Sequence, residues 1–169
     1  PKQFARAVLG LAYGAYPEPG IADQPLLRVL EEALDFLGKD ESGPRVRIMA
    51  RLASELRWTE EVERRESLCR EAIEMARRTG DRGALAWALV ISNFLFGSYE
   101  DPVPRLAIAD EIVELGQESG DKEMESRGRL ARIVYLVDLA DSEAIDREIE
   151  SAFRLAQEVR LPFQLAASL

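Results

Sequence analysis

The stretch Arg70–Val90, REAIEMARRTGDRGALAWALV, decides the reading of this chain. It holds the end of one helix, a Gly80-Asp81 corner and the start of the next helix. Glycine takes the left-handed backbone that closes a helix at little steric cost, and aspartate accepts from the free amides that open one. Forty residues on, Asp110–Leu130 reads DEIVELGQESGDKEMESRGRL, with Gly120-Asp121 at the same place. Ser151–Arg160, SAFRLAQEVR, repeats the helix end without the glycine.

Aligned by adding 40, the first helices give five apolar or small columns at helical spacing. They are Cys69, Ala109 and Ile149; Ala72, Ile112 and Ala152; Ile73, Val113 and Phe153; Met75, Leu115 and Leu155; and Ala76, Gly116 and Ala156. An earlier copy, Leu30, Ala33, Leu34, Phe36 and Leu37, fits at an offset of 39. In the second helices the best column is Ala50, Ala88 and Gly128, small enough for close backbone approach. Beside it run Ala53, Ile91 and Ala131, then Leu56, Phe94 and Val134. A two-helix unit cannot bury its apolar face alone, so repeats of this length stack and share an elongated core. The expectation is an all-α fold, an α-solenoid of antiparallel helix pairs repeating about every 40 residues. It is one domain over residues 1–169, with units at roughly 24–58, 60–98, 102–139 and 142–169. Pro1 without Met, and a stop at Leu169 inside an apparent helix, read as a fragment of a longer chain. Its cut ends are expected to expose apolar surface and to favour self-association.

Local signals place the remaining boundaries. Gln3–Gly14 carries Phe4, Val8, Leu11 and Ala12 at helical spacing, and YPEPG at 16–20 breaks it. Asp23 caps the next helix, with Pro25 in its first turn. Pro44 suits the start of the one after it, and Thr59 reads as the cap of a helix running to Thr79. Residues 82–97 are almost wholly apolar, which predicts the most buried helix. Asp101-Pro102 opens another to Ser119, and helices follow at about 122–139 and 142–160, with a last one from Pro162. Nothing alternates with period two, so no strand is expected. Glu four residues before Arg, as at Glu60–Arg64 and Glu74–Arg78, suggests intrahelical pairs worth about 0.2–0.5 kcal/mol each.

Composition removes several function classes. The net charge is −9 and the pI about 4.7, which disfavours non-specific binding to nucleic acid or anionic lipid. Arg outnumbers Lys 19 to 3, and Asn occurs once, a bias that points to a GC-rich bacterial genome. With no His and the single Cys69, there is no Ser-His-Asp or Cys-His mechanism, no Cys/His zinc site and no internal disulfide. Cys69 falls in a packed column and reads as a buried, inert thiol. The longest apolar run, 84–97, is too short to span a bilayer, and the faint signal-peptide pattern at the N-terminus lacks a cleavage site.

Gly38-Lys39 is followed by Asp40 and lacks the rest of a phosphate loop. Glu111, Glu114 and Glu118 share a helix face without calcium-loop spacing and read as solvated. Arg127, Arg129 and Arg132 form a basic run, but Glu123 and Glu125 are placed to pair with it. Trp87 reads as core. The residues left for recognition are Trp58 and Tyr99 at helix-to-loop corners, Asn93 as a lone amide in an apolar helix, and Tyr135. No catalytic residue, metal or cofactor is expected.

Three stretches, EEALDFLGKDESGPRVRIMARLASEL (31–56), REAIEMARRTGDRGALAWALV (70–90) and LAIADEIVELGQESGDKE (106–123), together resemble one family. It is the tetratricopeptide-like helical-repeat region of large bacterial ATP-dependent signalling proteins. There the repeats follow a STAND-type or AAA-type ATPase module. They are coupled to a LuxR-type DNA-binding domain or to an adenylyl cyclase or kinase domain. The spacing exceeds the roughly 34 residues of a standard tetratricopeptide repeat, and the W-x2-L-G-x2-Y signature is missing. The family's ATPase residues and DNA-reading helix have no counterpart here, so neither activity carries over. The resemblance implies a non-catalytic, cytoplasmic protein-interaction module of a bacterial signalling or transcriptional regulator. Its partners would be a protein or peptide segment, other domains of the same chain, or further copies in a homo-oligomer, with no direct nucleic-acid or membrane contact. The competing reading is a small-molecule effector domain that binds a metabolite in the solenoid groove through Asn93 or Tyr135.

Overall fold

The computed structural model describes residues 2–14, 21–96 and 101–159. Every regular element among them is helical: α1 (Lys2–Gly14), α2 (Gln24–Leu37), α3 (Gly43–Glu55), α4 (Val62–Thr79), α5 (Arg82–Phe96), α6 (Pro102–Ser119), α7 (Lys122–Asp138) and α8 (Ser142–Val159). A 3-10 turn, Leu56–Trp58, extends α3. The fold class is all-α. The YPEPG break and the helix expected from Pro162 lie outside the described residues. Among the described residues no helix is long and apolar enough to cross a membrane.

Aspartate starts most of these helices. Asp23, Asp81, Asp121 and Asp141 each accept from the amide three residues on, at 2.8–3.0 Å, and Asp101 accepts from Val103 at 3.0 Å. Each such bond satisfies one of the amides a helix leaves free at its N-terminus, an effect of about 1 kcal/mol. Gly80 and Gly120 close α4 and α6 with φ of +69° and +71°. Thr59 does something other than cap α4. Its hydroxyl donates to the Leu56 carbonyl at 2.9 Å and accepts from the Glu61 amide at 3.3 Å, so it locks the 3-10 turn, and α4 begins at Val62.

The chain divides into two compact units, Pro1–Leu95 and Phe96–Leu169. In the first, α3 is the shared middle. Ile48, Leu52 and Leu56 pack with Ala5 and Val8 of α1 and Leu27, Leu30, Ala33 and Leu37 of α2. Val46, Met49 and Ala50 pack on the other side with Ala72, Met75 and Ala76 of α4 and Ala84 and Ala88 of α5. A helix with partners on both sides is buried nearly all round, and this corrects the expectation that residues 82–97 are the most buried. α5 has the more apolar sequence, but its Phe94 stands exposed.

In the second unit α6, α7 and α8 pack in chain order. Small residues set the approach of α6 and α7. A Cβ added at Gly116 would lie 2.5 Å from the Glu125 amide nitrogen, and one at Gly128 would lie 2.8 Å from that of Val113. Positions 40 apart are buried alike at Ala72, Ile112 and Ala152, at Met75, Leu115 and Leu155, and at Ala76, Gly116 and Ala156. Other columns divide. Phe36 is exposed and meets Phe4 at 5.9 Å between ring centroids, and Ile149 is exposed while Cys69 and Ala109 are buried.

Candidate functional site

The structure assembles one surface cluster out of two distant pieces of chain, the turn after α3 and the last part of α5. Thr59 holds the turn, which presents Arg57 and the half-buried Trp58. The Arg57 guanidinium lies 4.3 Å from the centroid of the Trp58 ring and 4.2 Å from that of Phe94. Phe94 is 60% exposed, so the outer aromatic of this stack faces solvent. Aromatic rings attract a cation through their electron-rich faces, by about 0.5–2 kcal/mol depending on desolvation.

Partial burial pushes Arg57 below the usual guanidinium range; Glu55 opposes that shift, and the neighbouring Arg65 adds to it. Glu55 is 2% exposed and gives its Oε1 to Arg51 at 2.6 Å. The Arg57 Nε is buried and makes no hydrogen bond. The stack is therefore an amphipathic shelf, with an apolar outer face and a cation whose charge is not spent on a bonded carboxylate. Tryptophan, arginine and an exposed phenylalanine together are the composition of an interface anchor.

Of the residues expected from sequence, Trp58 is a member of this shelf. Asn93 is half-buried on α5, beside Phe94 in sequence, and its side chain is engaged. Tyr99 lies outside the described residues. Tyr135 is 2% exposed and lies among buried residues of α7. Its position follows from helical periodicity, since Leu136 and Gly128 on the same helix are buried with it. Arg57 and Phe94 were not legible as site residues. Phe94 sits in a column with the buried Leu56, and periodicity alone assigns both to the core.

The basic run on α7 is neutralised within the chain. Arg127 bonds Glu123 at 2.8 Å, Arg129 bonds Glu125 at 2.7 Å and Glu148 at 3.0 Å, and Arg132 reaches Asp110 at 3.1 Å. Elsewhere the pairing departs from simple helical spacing. Arg64 bonds Glu61 and, across helices, Glu31, while Arg78 crosses to Glu41. Cys69 is a buried free thiol. Among the described residues no group of three or more Cys, Asp or Glu side chains is placed to hold a metal ion. No protein-family model matches the chain, and no curated protein aligns with it significantly.

Proposed function

We propose that this chain is a non-catalytic protein-interaction module, built as a tetratricopeptide-like α-solenoid, that docks a protein segment on the Trp58–Arg57–Phe94 shelf. The observation that carries the reading is the exposed aromatic–arginine stack. An exposed surface has no packing reason to set a guanidinium against two rings and leave one of them 60% exposed, whereas interface hot spots are built this way. The solenoid part of the reading is supported by the two left-handed glycine corners 40 residues apart and by the equal burial at matching positions on α4, α6 and α8. In the bacterial regulators that the sequence resembles, such a module would link recognition of a partner to a neighbouring ATPase and output domain.

The test is a photo-crosslinking side chain placed at position 94, with the same probe at the exposed Phe36 as the reference. The expected result is an adduct from position 94 alone, with a protein that rebinds the purified chain and loses affinity on Phe94→Ser. Equal labelling from both positions would overturn the docking reading. Turnover of a nucleotide by the pure chain would overturn the non-catalytic one.

A further inference from the structure

The chemistry of the shelf narrows its partner. The Arg57 guanidinium carbon lies over the Trp58 ring at 4.3 Å and over the Phe94 ring at 4.2 Å. The guanidinium carries its N–H donors in one plane. A planar fork of donors matches a carboxylate, which takes two parallel hydrogen bonds from it. The nearby carboxylate of the protein makes no bond to Arg57. Glu55 is almost fully buried and directs its Oε1 to Arg51 at 2.6 Å. Arg65 adds a second cation to the field at Arg57. A partly buried cation that no carboxylate bonds is stabilised by an incoming anion.

We infer that the shelf binds a peptide through an Asp or Glu side chain bonded to the edge of Arg57, with an adjacent apolar residue of the peptide against Phe94. This rests on the reading of the shelf as a protein-docking site. A nucleic acid is disfavoured, because the chain carries a net charge of −9 and one guanidinium supplies too few phosphate contacts. A peptide brings one carboxylate and an apolar side chain together, as the shelf requires.

The experiment selects a displayed random-peptide library on the whole purified chain. Peptides lost on Phe94→Ser are kept, then synthesised with each acidic residue changed to its amide. Phe94 is exposed, so that variant retains the wild-type melting curve. The expected result is that the kept peptides share an acidic residue next to an apolar one. Converting that residue to its amide weakens binding about ten- to a hundredfold, the range for a charge-assisted hydrogen bond. On Arg57→Ala the acid and amide peptides bind equally, and Arg57→Lys restores part of the difference. Kept peptides whose binding ignores both their acids and Arg57 would overturn the carboxylate inference and leave the docking reading intact. A phosphoserine in the acidic position binding more than about tenfold tighter would overturn it in favour of a phosphopeptide. Peptides bound equally by the wild type and Phe94→Ser would overturn both.

Discussion

Arg129 of α7 holds two carboxylates at once, Glu125 on its own helix at 2.7 Å and Glu148 on α8 at 3.0 Å. Burial works against the Arg129 charge, but the hydrogen bonds it donates to the two glutamates outweigh it, and the guanidinium sits above its usual range. Glu148 also faces Arg132 at 3.4 Å. The network ties α8 to α7 through Glu148. Removing one partner of a buried pair leaves the other partner's charge under-compensated. Glu148→Gln is expected to cost about 1–3 kcal/mol, less than full removal because the amide still accepts a hydrogen bond. Hydrogen exchange should rise in α7 and α8 and stay unchanged in α2 and α4. Unchanged exchange in α8 would show that the network contributes nothing to docking that helix.

Two glycines of α6 and its corner invite opposite explanations of the same substitution. At Gly116 the backbone is helical, and an added methyl meets the Glu125 amide nitrogen at 2.5 Å. At Gly120 nothing lies within 4 Å, but φ is +71°. Gly116→Ala is expected to cost about 1–3 kcal/mol through overpacking, and Gly120→Ala about 1 kcal/mol through backbone strain. A larger side chain separates them further. Gly116→Leu should prevent α6 and α7 from closing, whereas Gly120→Leu should cost little more than Gly120→Ala. Chemical denaturation of the four variants checks the ordering.

Much of the helix layout was legible because its signals are local. Asp23, Asp81, Asp101 and Asp121 each accept from an amide two or three residues away, and the left-handed Gly80 and Gly120 need no distant partner. Thr59 was misread because its hydroxyl had two local options, and the Leu56 carbonyl behind it competed with the helix ahead. The shelf was only half legible. Trp58 stood out at a corner, but Arg57 and Phe94 are 37 residues apart, and nothing in the period of α5 tells whether a further layer covers it. Leu56, Phe94 and Val134 share a column, yet of the three only Leu56 is buried. The depth of Tyr135 was not legible either, since a hydroxyl on an otherwise packed face gives no sign of it.

Ala140 is the one residue other than glycine with a positive φ among the described residues, at 55°. It turns the chain from α7 into Asp141, which caps α8 through the Ala144 amide at 3.0 Å. An L side chain in that conformation is strained, whereas glycine adopts it freely. Ala140→Gly is therefore expected to stabilise the chain, by about 0.5–1 kcal/mol, offset slightly by the greater freedom of glycine in the unfolded chain. A rise in the denaturation midpoint with an unchanged slope would agree, and a fall would contradict the strain argument.

Lys122, at the start of α7, bonds Glu158 near the end of α8. Lys122 donates a hydrogen bond to the carboxylate, and its charge adds to that, so Glu158 titrates below the usual glutamate range. A carboxyl group whose pKa is lower in the folded chain adds stability above its unfolded value. That contribution is lost as the pH falls through the folded one. Both side chains are more than half exposed, so the pair is screened and its worth falls with salt. The side-chain carboxyl signal of Glu158 should move at lower pH than that of glutamate in an unstructured peptide. Lys122→Met should return it to the ordinary position, and added salt should return it part of the way. A Glu158 midpoint unmoved by Lys122→Met would mean that the two ends of α7 and α8 are not joined in solution.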